Sequence, residues 1–382
     1  MCSAKTWALN QRADRQNVFV GSITIMLFCA QNNTYNTEQQ MLEFFEVKGT
    51  DYEAGFAIGN KFKNYLQSRI IEFDEKAPHY QERIQDIENT LKNSFPYLLE
   101  EIYGRADGAE ISRDSYLLML FPELFRKSEG CTTLVVKKTD GSVLFAHNDD
   151  NECFDLDNTA LIKYDMGDNY IISYTFVERL AGSAFSLNGK GMVFSSNYIF
   201  GDRMDLGNLS RYIVVRDVIN SSSIDEALEK LKATNVASPF SLNMLELKTG
   251  RAINVEKDID NVYVTEITDR YARSNHFHKK QGDSHNATAD TKFRYKKANE
   301  LISQLNPDTC TIDDLLSTLK YGTPVYDESI YKQYGDYHGV WVTDATLAVD
   351  TASDNFTVYD FIGKSVMKIS KDGNLVSQTP MN

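Results

Sequence analysis

The sequence lacks the short motifs that mark most cofactor- and metal-dependent enzymes. Its 382 residues contain no glycine-rich phosphate loop, no Cys-x-x-Cys pair and no His-Glu-x-x-His, so we expect no cofactor and no metal. Basic residues are outnumbered, since 40 Lys and Arg stand against 54 Asp and Glu, for a formal charge of -14. With no basic stripe, nucleic acid is not expected as a partner.

Long apolar runs are also scarce. Residues 18–30 form an apolar run that follows three basic residues and ends abruptly at a polar segment. The run is too short to span a bilayer as a helix, but it has the length of the hydrophobic region of a signal peptide. We therefore expect no integral membrane span. If residues 1–30 are a signal peptide, the protein is periplasmic, secreted or in the secretory pathway; otherwise the run is a core strand or a leader of a cytoplasmic protein.

Cysteine is limited to five residues. Removal of a signal peptide would leave Cys131, Cys153 and Cys310. If Cys131 is reserved for chemistry, the other two either pair or stay free, and their positions in the sequence do not decide between these outcomes.

What the sequence does contain is a cysteine placed as if to become an N-terminus. In Glu129–Thr133, Cys131 follows Gly130 and opens an apolar, β-rich run after a long helical segment. A cut before Cys131 would give it a thiol with a pKa near 8.5 and an α-amine with a pKa of roughly 7.7 to 8.0. The amine can take the thiol proton, so nucleophile and base would sit on one residue. Alone, this is a weak signal, because most single cysteines are inert core residues.

The spacing of apolar residues divides the chain at Gly130/Cys131. Residues 51–120 have helical spacing, with a last short helix over 113–121 that stops near Pro122. After Cys131 the alternation predicts strands at 132–137, 143–146, 160–164, 170–176, 191–195, 240–247, 261–267, 339–342, 346–350 and 356–361, with hairpin turns at 140–141, 188–189 and 372–373. Helices are predicted at 224–233, 291–305 and 312–319. Many antiparallel strands with a few covering helices favour a layered α+β sandwich.

Five separated segments together resemble one family, the acyl-coenzyme A:6-aminopenicillanic acid acyltransferase family of N-terminal-nucleophile (Ntn) hydrolases, also classified as the C45 peptidases. Their order and spacing carry the resemblance, which runs from about Gly49 to the final strands. The segments are Gly49–Gly59, Tyr103–Ala109, Gly130–Thr133, Asp140–Asp150 and Arg273–Phe277.

The resemblance implies an α+β fold of four αββα layers with an N-terminal helical segment. It also implies self-cleavage between Gly130 and Cys131 and chemistry on linear C–N amide bonds without a cofactor. The expected organisation is a leader at 1–40, a helical α-chain at 41–130 and a β-chain at 131–382, with the two self-derived chains packed as one domain. Small-molecule amides or short peptides are the expected substrates.

The resemblance further implies a role for each matching residue. Cys131 is the nucleophile, Asp150 holds the new α-amino group, and Asn275 donates to the oxyanion. Asn197 is the expected second donor, and Arg294 matches an arginine of the family.

The sequence leaves several alternatives open. His147–Asp150 matches the hydrolase-like version of the hairpin, so we expect hydrolysis rather than acyl-CoA-dependent N-acyl transfer. Asp149 would favour an amine-bearing substrate if it lies at the pocket mouth. N-acyl amino acids, β-alanyl amines, acylated β-lactams and small peptides are all candidate substrates. A non-catalytic binding protein on the same fold, and an ordinary Cys-His protease using His147, are the rival interpretations.

Overall fold

The computed structural model describes residues 41–76, 81–121, 130–152, 158–199, 201, 203–280, 287–333 and 341–381. The proposed leader at 1–40 lies outside these ranges, as does Cys153. Within them the fold is mixed α+β, with two sheets and nine helices. None of the described helices is long and apolar enough to cross a membrane.

The helical prediction for residues 51–120 is confirmed. After strand β1 (Glu43–Lys48) come α1 (Asp51–Lys61), α2 (Lys63–Lys76), α3 (Gln81–Ser94), α4 (Pro96–Ala109) and α5 (Arg113–Met119). The side chain of Thr50 caps α1 by accepting from the backbone N–H of Glu53, and the Glu53 carboxylate accepts from the backbone N–H of Thr50. The helical pattern predicted over 51–120 is divided between α3 and α4 at residue 96, because Pro96 lacks an N–H and begins a new helix.

Helices α1 and α4 touch through their backbones at two pairs of glycines. A Cβ placed on Gly55 would lie 2.2 Å from the carbonyl oxygen of Glu101, and one on Gly104 would lie 2.1 Å from that of Tyr52. No side chain fits at such a distance, so only glycine allows this approach. The first two segments of the family resemblance therefore pack against each other.

Fifteen strands form the two sheets in the described part of the chain. One sheet has the order β1-β4-β5-β6-β7-β8-β9-β10 and the other β11-β2-β3-β12-β13-β14-β15. β1 pairs with β4 in parallel, and the remaining ladders are antiparallel. The strands after β1 are β2 (Gly130–Lys137), β3 (Val143–Glu152), β4 (Thr159–Asp165), β5 (Tyr170–Phe176), β6 (Phe185–Asn188), β7 (Met192–Tyr198), β8 (Phe240–Glu246), β9 (Arg251–Lys257), β10 (Val262–Ile267), β11 (Arg270–Arg273), β12 (Trp341–Asp350), β13 (Asn355–Asp360), β14 (Ser365–Ser370) and β15 (Leu375–Pro380).

Three apolar clusters bury both faces of each sheet. Between the sheets, Phe145 of β3 packs in one cluster with Tyr174 of β5 and Leu347 of β12. The outer face of the eight-stranded sheet packs against α1 to α5 and against α6 (Arg211–Val218) and α7 (Ile224–Ala233). The outer face of the seven-stranded sheet packs against α8 (Ala289–Ser303) and α9 (Ile312–Leu319). Alternate residues of β2 and β3 thus point into different clusters, as the period of a strand requires.

Two predictions for the C-terminal half need correction. The segments predicted as separate strands at 339–342 and 346–350 belong to one strand, β12, whose register with β3 shifts between Thr343 and Ala345. Residues 339 and 340 themselves lie outside the described part.

The predicted helices near 291–305 and 312–319 are confirmed as α8 and α9. The three predicted hairpin turns are also confirmed, because each joins two paired antiparallel strands.

Candidate active site

Cys131 lies at the start of β2, between the two sheets. Gly130 pairs with Asp150 across the β2–β3 ladder, and Cys131 pairs with Asp149. Because Gly130 and Cys131 are consecutive residues of one strand, the structure is that of the uncut chain. Cys131 is buried, with 2% of its surface exposed.

Asn275 and Arg294 bracket the backbone of Cys131. The Cys131 N–H donates to Asn275 Oδ1 at 2.9 Å, and Arg294 Nη1 donates to the Cys131 carbonyl oxygen at 2.6 Å. Arg294 Nη2 also donates to Asn275 Oδ1 at 2.8 Å. Two residues far apart in the sequence, one after β11 and one on α8, are thereby joined at the predicted cleavage site.

These contacts fix the orientation of the Asn275 amide. Its oxygen accepts from two N–H groups, and its nitrogen donates to the Tyr198 carbonyl oxygen at 2.9 Å. An amide nitrogen has two N–H groups, so one N–H of Asn275 is not engaged in these contacts. In the uncut chain Asn275 therefore also has a role that the sequence did not predict, as acceptor of the Cys131 N–H.

Arg294 is held as a permanent cation. Its Nε donates to Asp290 Oδ2 at 2.9 Å, and Lys332 donates to the other oxygen of Asp290. Burial lowers the pKa of Arg294, but Asp290 and Asp150 raise it by more. The structure thus places a fixed positive charge beside the Cys131 carbonyl.

Asp150 is fully buried beside the predicted scissile bond. Its Oδ1 accepts from Thr343 Oγ1 at 2.6 Å, and its Oδ2 has no partner among the described residues. A Cβ placed on Gly130 would lie 3.1 Å from that Oδ2 and 2.9 Å from the Trp341 ring. Burial raises the pKa of Asp150, and Arg294 and Thr343 reduce the rise. Glycine at 130 is what lets this carboxylate approach.

His147 and Asp149 lie close to the Cys131 thiol. Cys131 Sγ donates to Asp149 Oδ1 at 3.6 Å, and Asn151 Nδ2 donates to Asp149 Oδ2 at 2.7 Å. A nitrogen of His147 lies within 4.8 Å of both Cys131 Sγ and an Asp149 oxygen. Burial lowers the pKa of His147 to about 3, so its ring is neutral at physiological pH.

Asn197 lies in a polar network between the two sheets. Its Oδ1 accepts from Thr133 Oγ1 at 3.0 Å and from Asn243 Nδ2 at 2.8 Å. Its Nδ2 is buried without a partner among the described residues. Asn197 is thus hydrogen-bonded to Thr133, two residues along β2 from Cys131.

Sequence reasoning missed several of these polar residues. Asn243 is one of the polar residues that alternate with apolar ones in β8, which was the available signal. Lys332 and Thr343 carry no comparable signal, because each depends on a tertiary contact, Lys332 with Asp290 and Thr343 with Asp150. Cys310 is buried and has a free thiol in the structure; its pairing with Cys153 stays undecided, since Cys153 lies outside the described residues.

A buried thiol beside an amide, a guanidinium and carboxylates is an arrangement suited to acyl chemistry. The sequence model of the acyl-coenzyme A:6-aminopenicillanic acid acyl-transferase family matches residues 136–336. The match covers more than half of the chain, and the chain belongs to this family. It begins after Cys131, so the role of that residue depends on the geometry described above.

A related hydrolase also matches most of the chain. The chain is 23% identical over 340 residues to the β-alanyl-dopamine/carcinine hydrolase of Drosophila melanogaster, a similarity that covers 79% of this chain and 84% of that protein. The family and this relative together indicate an amide-acting hydrolase or acyltransferase.

Proposed function

We propose that the protein is a self-processing cysteine amidohydrolase of the N-terminal-nucleophile type. The observation that carries the proposal is the set of contacts around one peptide bond. Asn275 and Arg294 hold the N–H and carbonyl of Cys131, and Asp150 lies beside Gly130. Apolar clusters between the sheets and under the helices support the four-layer αββα arrangement as its fold. The products of the cut would be an α-chain ending at Gly130 and a β-chain of 131–382.

Self-cleavage in this proposal is an N-to-S acyl shift. The thiolate of Cys131 bonds to the Gly130 carbonyl carbon, the C–N bond breaks, and the nitrogen takes up protons to become an α-amine. Water then hydrolyses the thioester, which leaves a Gly130 carboxylate and restores the thiol. The α-amine is absent before the cut, so the first deprotonation must use a neighbouring acceptor, and Asp149 Oδ1 at 3.6 Å from Sγ is placed for it.

In turnover, the new α-amine takes the thiol proton and Cys131 attacks the substrate amide. The substrate amine leaves, and water releases the acyl group from the thioester. The second N–H of Asn275 donates to the oxyanion, an interaction that typically contributes about 3 to 4 kcal/mol. Asn275 Oδ1 and Asp150 hold the amine. Asn197 is the proposed second donor, and its unpartnered Nδ2 supports a polar role at this position.

The relative's name makes a β-alanyl amine the first substrate class to test. Such substrates carry a positive charge, and the buried carboxylates Asp149 and Asp150 favour a cation near the thiol. Acyl transfer to a second amine is the alternative outcome of the same thioester. Export remains a proposal that depends on residues 1–30, which lie outside the described structure.

The test is the intact mass of the purified protein, for wild type and for Cys131→Ala in parallel. We expect two wild-type fragments divided between Gly130 and Cys131, and a whole variant. Prolonged incubation that leaves the wild type uncut would remove the α-amine from the mechanism. If in addition no amide is hydrolysed, a binding protein on this fold would become the leading hypothesis. A Cys-His protease would lead if activity persists and is lost with His147→Gln but not with Asp150→Asn.

A further inference from the structure

Three potential metal ligands meet at the nucleophile. Cys131, His147 and Asp149 each offer one ligand atom, and these atoms lie within 4.8 Å of one another. All three residues are buried, with exposed fractions of 3% or less. We propose that this cluster binds a thiophilic divalent cation, Zn²⁺ above all, and that the bound cation masks the Cys131 thiol.

The distances suit one tetrahedral ion. Zinc lies about 2.3 Å from a cysteine sulfur and about 2.0 to 2.2 Å from a histidine nitrogen or carboxylate oxygen, which places neighbouring ligand atoms roughly 3.5 Å apart. Cys131 Sγ and Asp149 Oδ1 are already 3.6 Å apart. The His147 nitrogen, within 4.8 Å of both atoms, must come closer to them for one ion to bind all three. Three protein ligands leave the fourth position of the ion for water.

Hydrogen bonds orient His147 as a ligand. Thr133 Oγ1 donates its single proton to Asn197 Oδ1 and accepts from Asn243 Nδ2. With the Thr133 proton given to Asn197 Oδ1, the contact of 2.8 Å between Thr133 Oγ1 and His147 Nδ1 is one in which Nδ1 donates. The lone pair of the neutral ring is then on Nε2, which is buried and has no partner among the described residues.

A hydrogen bond holds the Asp149 carboxylate in place, as is common for carboxylates that bind metal. Asn151 Nδ2 donates to its Oδ2 at 2.7 Å, which leaves Oδ1 directed at Cys131 Sγ. Histidine and carboxylate ligands whose second atoms are hydrogen-bonded bind metal more tightly and in a fixed orientation. When zinc binds, the Cys131 thiol loses its proton to solvent and the sulfur becomes a zinc thiolate. That sulfur can attack neither the Gly130 carbonyl nor an alkylating reagent.

Cobalt(II) titration of the chelator-treated full chain tests the site by its spectrum. We expect about one Co²⁺ per chain and a near-ultraviolet thiolate-to-cobalt charge-transfer band, displaced by Zn²⁺. The band should be lost in Cys131→Ser and retained in Cys310→Ser, which removes a buried thiol outside the cluster. Asp149→Asn and His147→Gln should each weaken the affinity at least about tenfold. Asp149→Asn keeps the shape of the side chain, and circular dichroism identifies a variant that fails to fold.

The masking of the thiol is measured separately. Iodoacetamide alkylation of Cys131, followed by peptide mass spectrometry, should slow when Zn²⁺ is present and recover with a chelator, while alkylation of Asp149→Asn should not respond. Absence of the band in wild type, its persistence in Cys131→Ser, or equal alkylation with and without Zn²⁺ would each overturn the proposal. The masking requires that the Cys131 thiolate is bound by the metal, and it does not require self-processing. A chain that binds cobalt at Cys131 and never cleaves would therefore refute the proposed function and leave the metal site standing.

Discussion

The surroundings of two fully buried carboxyl groups shift their pKa values in opposite directions. Glu101, on α4, accepts a hydrogen bond from Arg105 on one oxygen at 3.0 Å and from Arg216 on the other at 2.9 Å. Burial raises the pKa of Glu101, but the two arginines outweigh it, and the pKa ends below its usual range. Arg105 is itself satisfied by the carbonyl oxygens of Val177 and Arg179. This charge cluster ties α4 to α6 and to the loop after β5.

Asp344, on β12 in the candidate active site, accepts hydrogen bonds from neutral donors instead. Tyr174 donates to its Oδ2 at 2.6 Å and Asn151 to its Oδ1 at 3.2 Å. Burial raises the pKa of Asp344 to about 7, and nearby Asp150 adds to the rise. A buried charge that is paired holds elements of the fold together. A buried carboxyl group with no cation beside it has a raised pKa, which suits it to take up and release protons. The difference separates the supporting part of the molecule from the candidate active site.

The largest expected effect comes from breaking the paired cluster. Glu101→Gln leaves two buried arginines with no anion, so we expect the free energy of unfolding to fall by about 3 to 5 kcal/mol. Thermal and urea unfolding measure the loss. The control is Glu100→Gln, an exposed neighbour on the same helix, which should change stability by less than about 0.5 kcal/mol. Equal behaviour of the two variants would show that the cluster does not stabilise the fold.

The second prediction concerns pH and Asp344. Because its pKa is about 7 in the folded state and 3.8 ordinarily, the folded protein binds a proton that the unfolded chain releases. The stabilisation is complete below pH 4 and is lost as pH rises to about 7. The slope is about 1.4 kcal/mol per pH unit, for a total of roughly 4 kcal/mol at most.

The measurement is urea unfolding of wild type and Asp344→Asn between pH 4 and pH 8. Asparagine cannot ionise, and the Tyr174 hydroxyl can turn to accept from its amide, so the variant should gain stability relative to wild type as pH rises. Parallel curves for the two proteins would mean that Asp344 is ionised throughout. Tyr174→Phe is the companion variant: it removes a hydrogen bond that lowers the pKa of Asp344, so the loss of stability should extend to higher pH.

The third prediction separates the two roles of Asn275. Asn275→Asp keeps an oxygen facing the Cys131 N–H and Arg294, but it removes the amide donor. We expect a folded protein whose self-cleavage and amide turnover fall about 10²- to 10³-fold, which corresponds to roughly 3 to 4 kcal/mol in the barrier. The rate of fragment appearance by mass spectrometry checks this. Asn261→Asp, at an exposed position, makes the same charge change and should cleave at the wild-type rate.

Periodicity predicted most of the fold but not all of its strands. The alternation in 170–176 and the amphipathic pattern in 312–319 gave bounds identical to those of β5 and α9. β9 and the buried α6 were missed, because polar residues such as Arg216 and Glu256 are buried in them and mask the apolar pattern. Their ion pairs form with distant residues, Arg216 with Glu101 and Glu256 with Arg273. Such pairing is long-range and leaves no local signal.

The candidate site, like the fold, could be predicted only in part, because it also depends on long-range contacts. The resemblance selected Cys131, Asp150, Asn275 and Arg294, and the structure brings these together around one peptide bond, although their catalytic roles stay predictions. The direction of the Asn275 amide was not predictable, because it depends on a hydrogen bond from a backbone N–H on another strand. Asn197, the expected second donor, accepts from Thr133, and its role at the oxyanion stays a prediction. Side-chain direction across two sheets is a tertiary property that segment order does not carry.

The smallest predicted effect is steric and tests whether the charge cluster depends on the contact between α1 and α4. In Gly104→Ala, the new methyl would lie 2.1 Å from the Tyr52 carbonyl oxygen, so the helices must separate, at a cost of about 1 to 3 kcal/mol. Alanine's better helix propensity offsets up to about 1 kcal/mol of that. The control is Gly322→Ala, whose Cβ would meet no atom nearer than 3.9 Å. Because Glu101 is one turn before Gly104, a double-mutant cycle with Glu101→Gln should show coupling, whereas additive losses would mean that the helix contact and the ion cluster stabilise the protein independently.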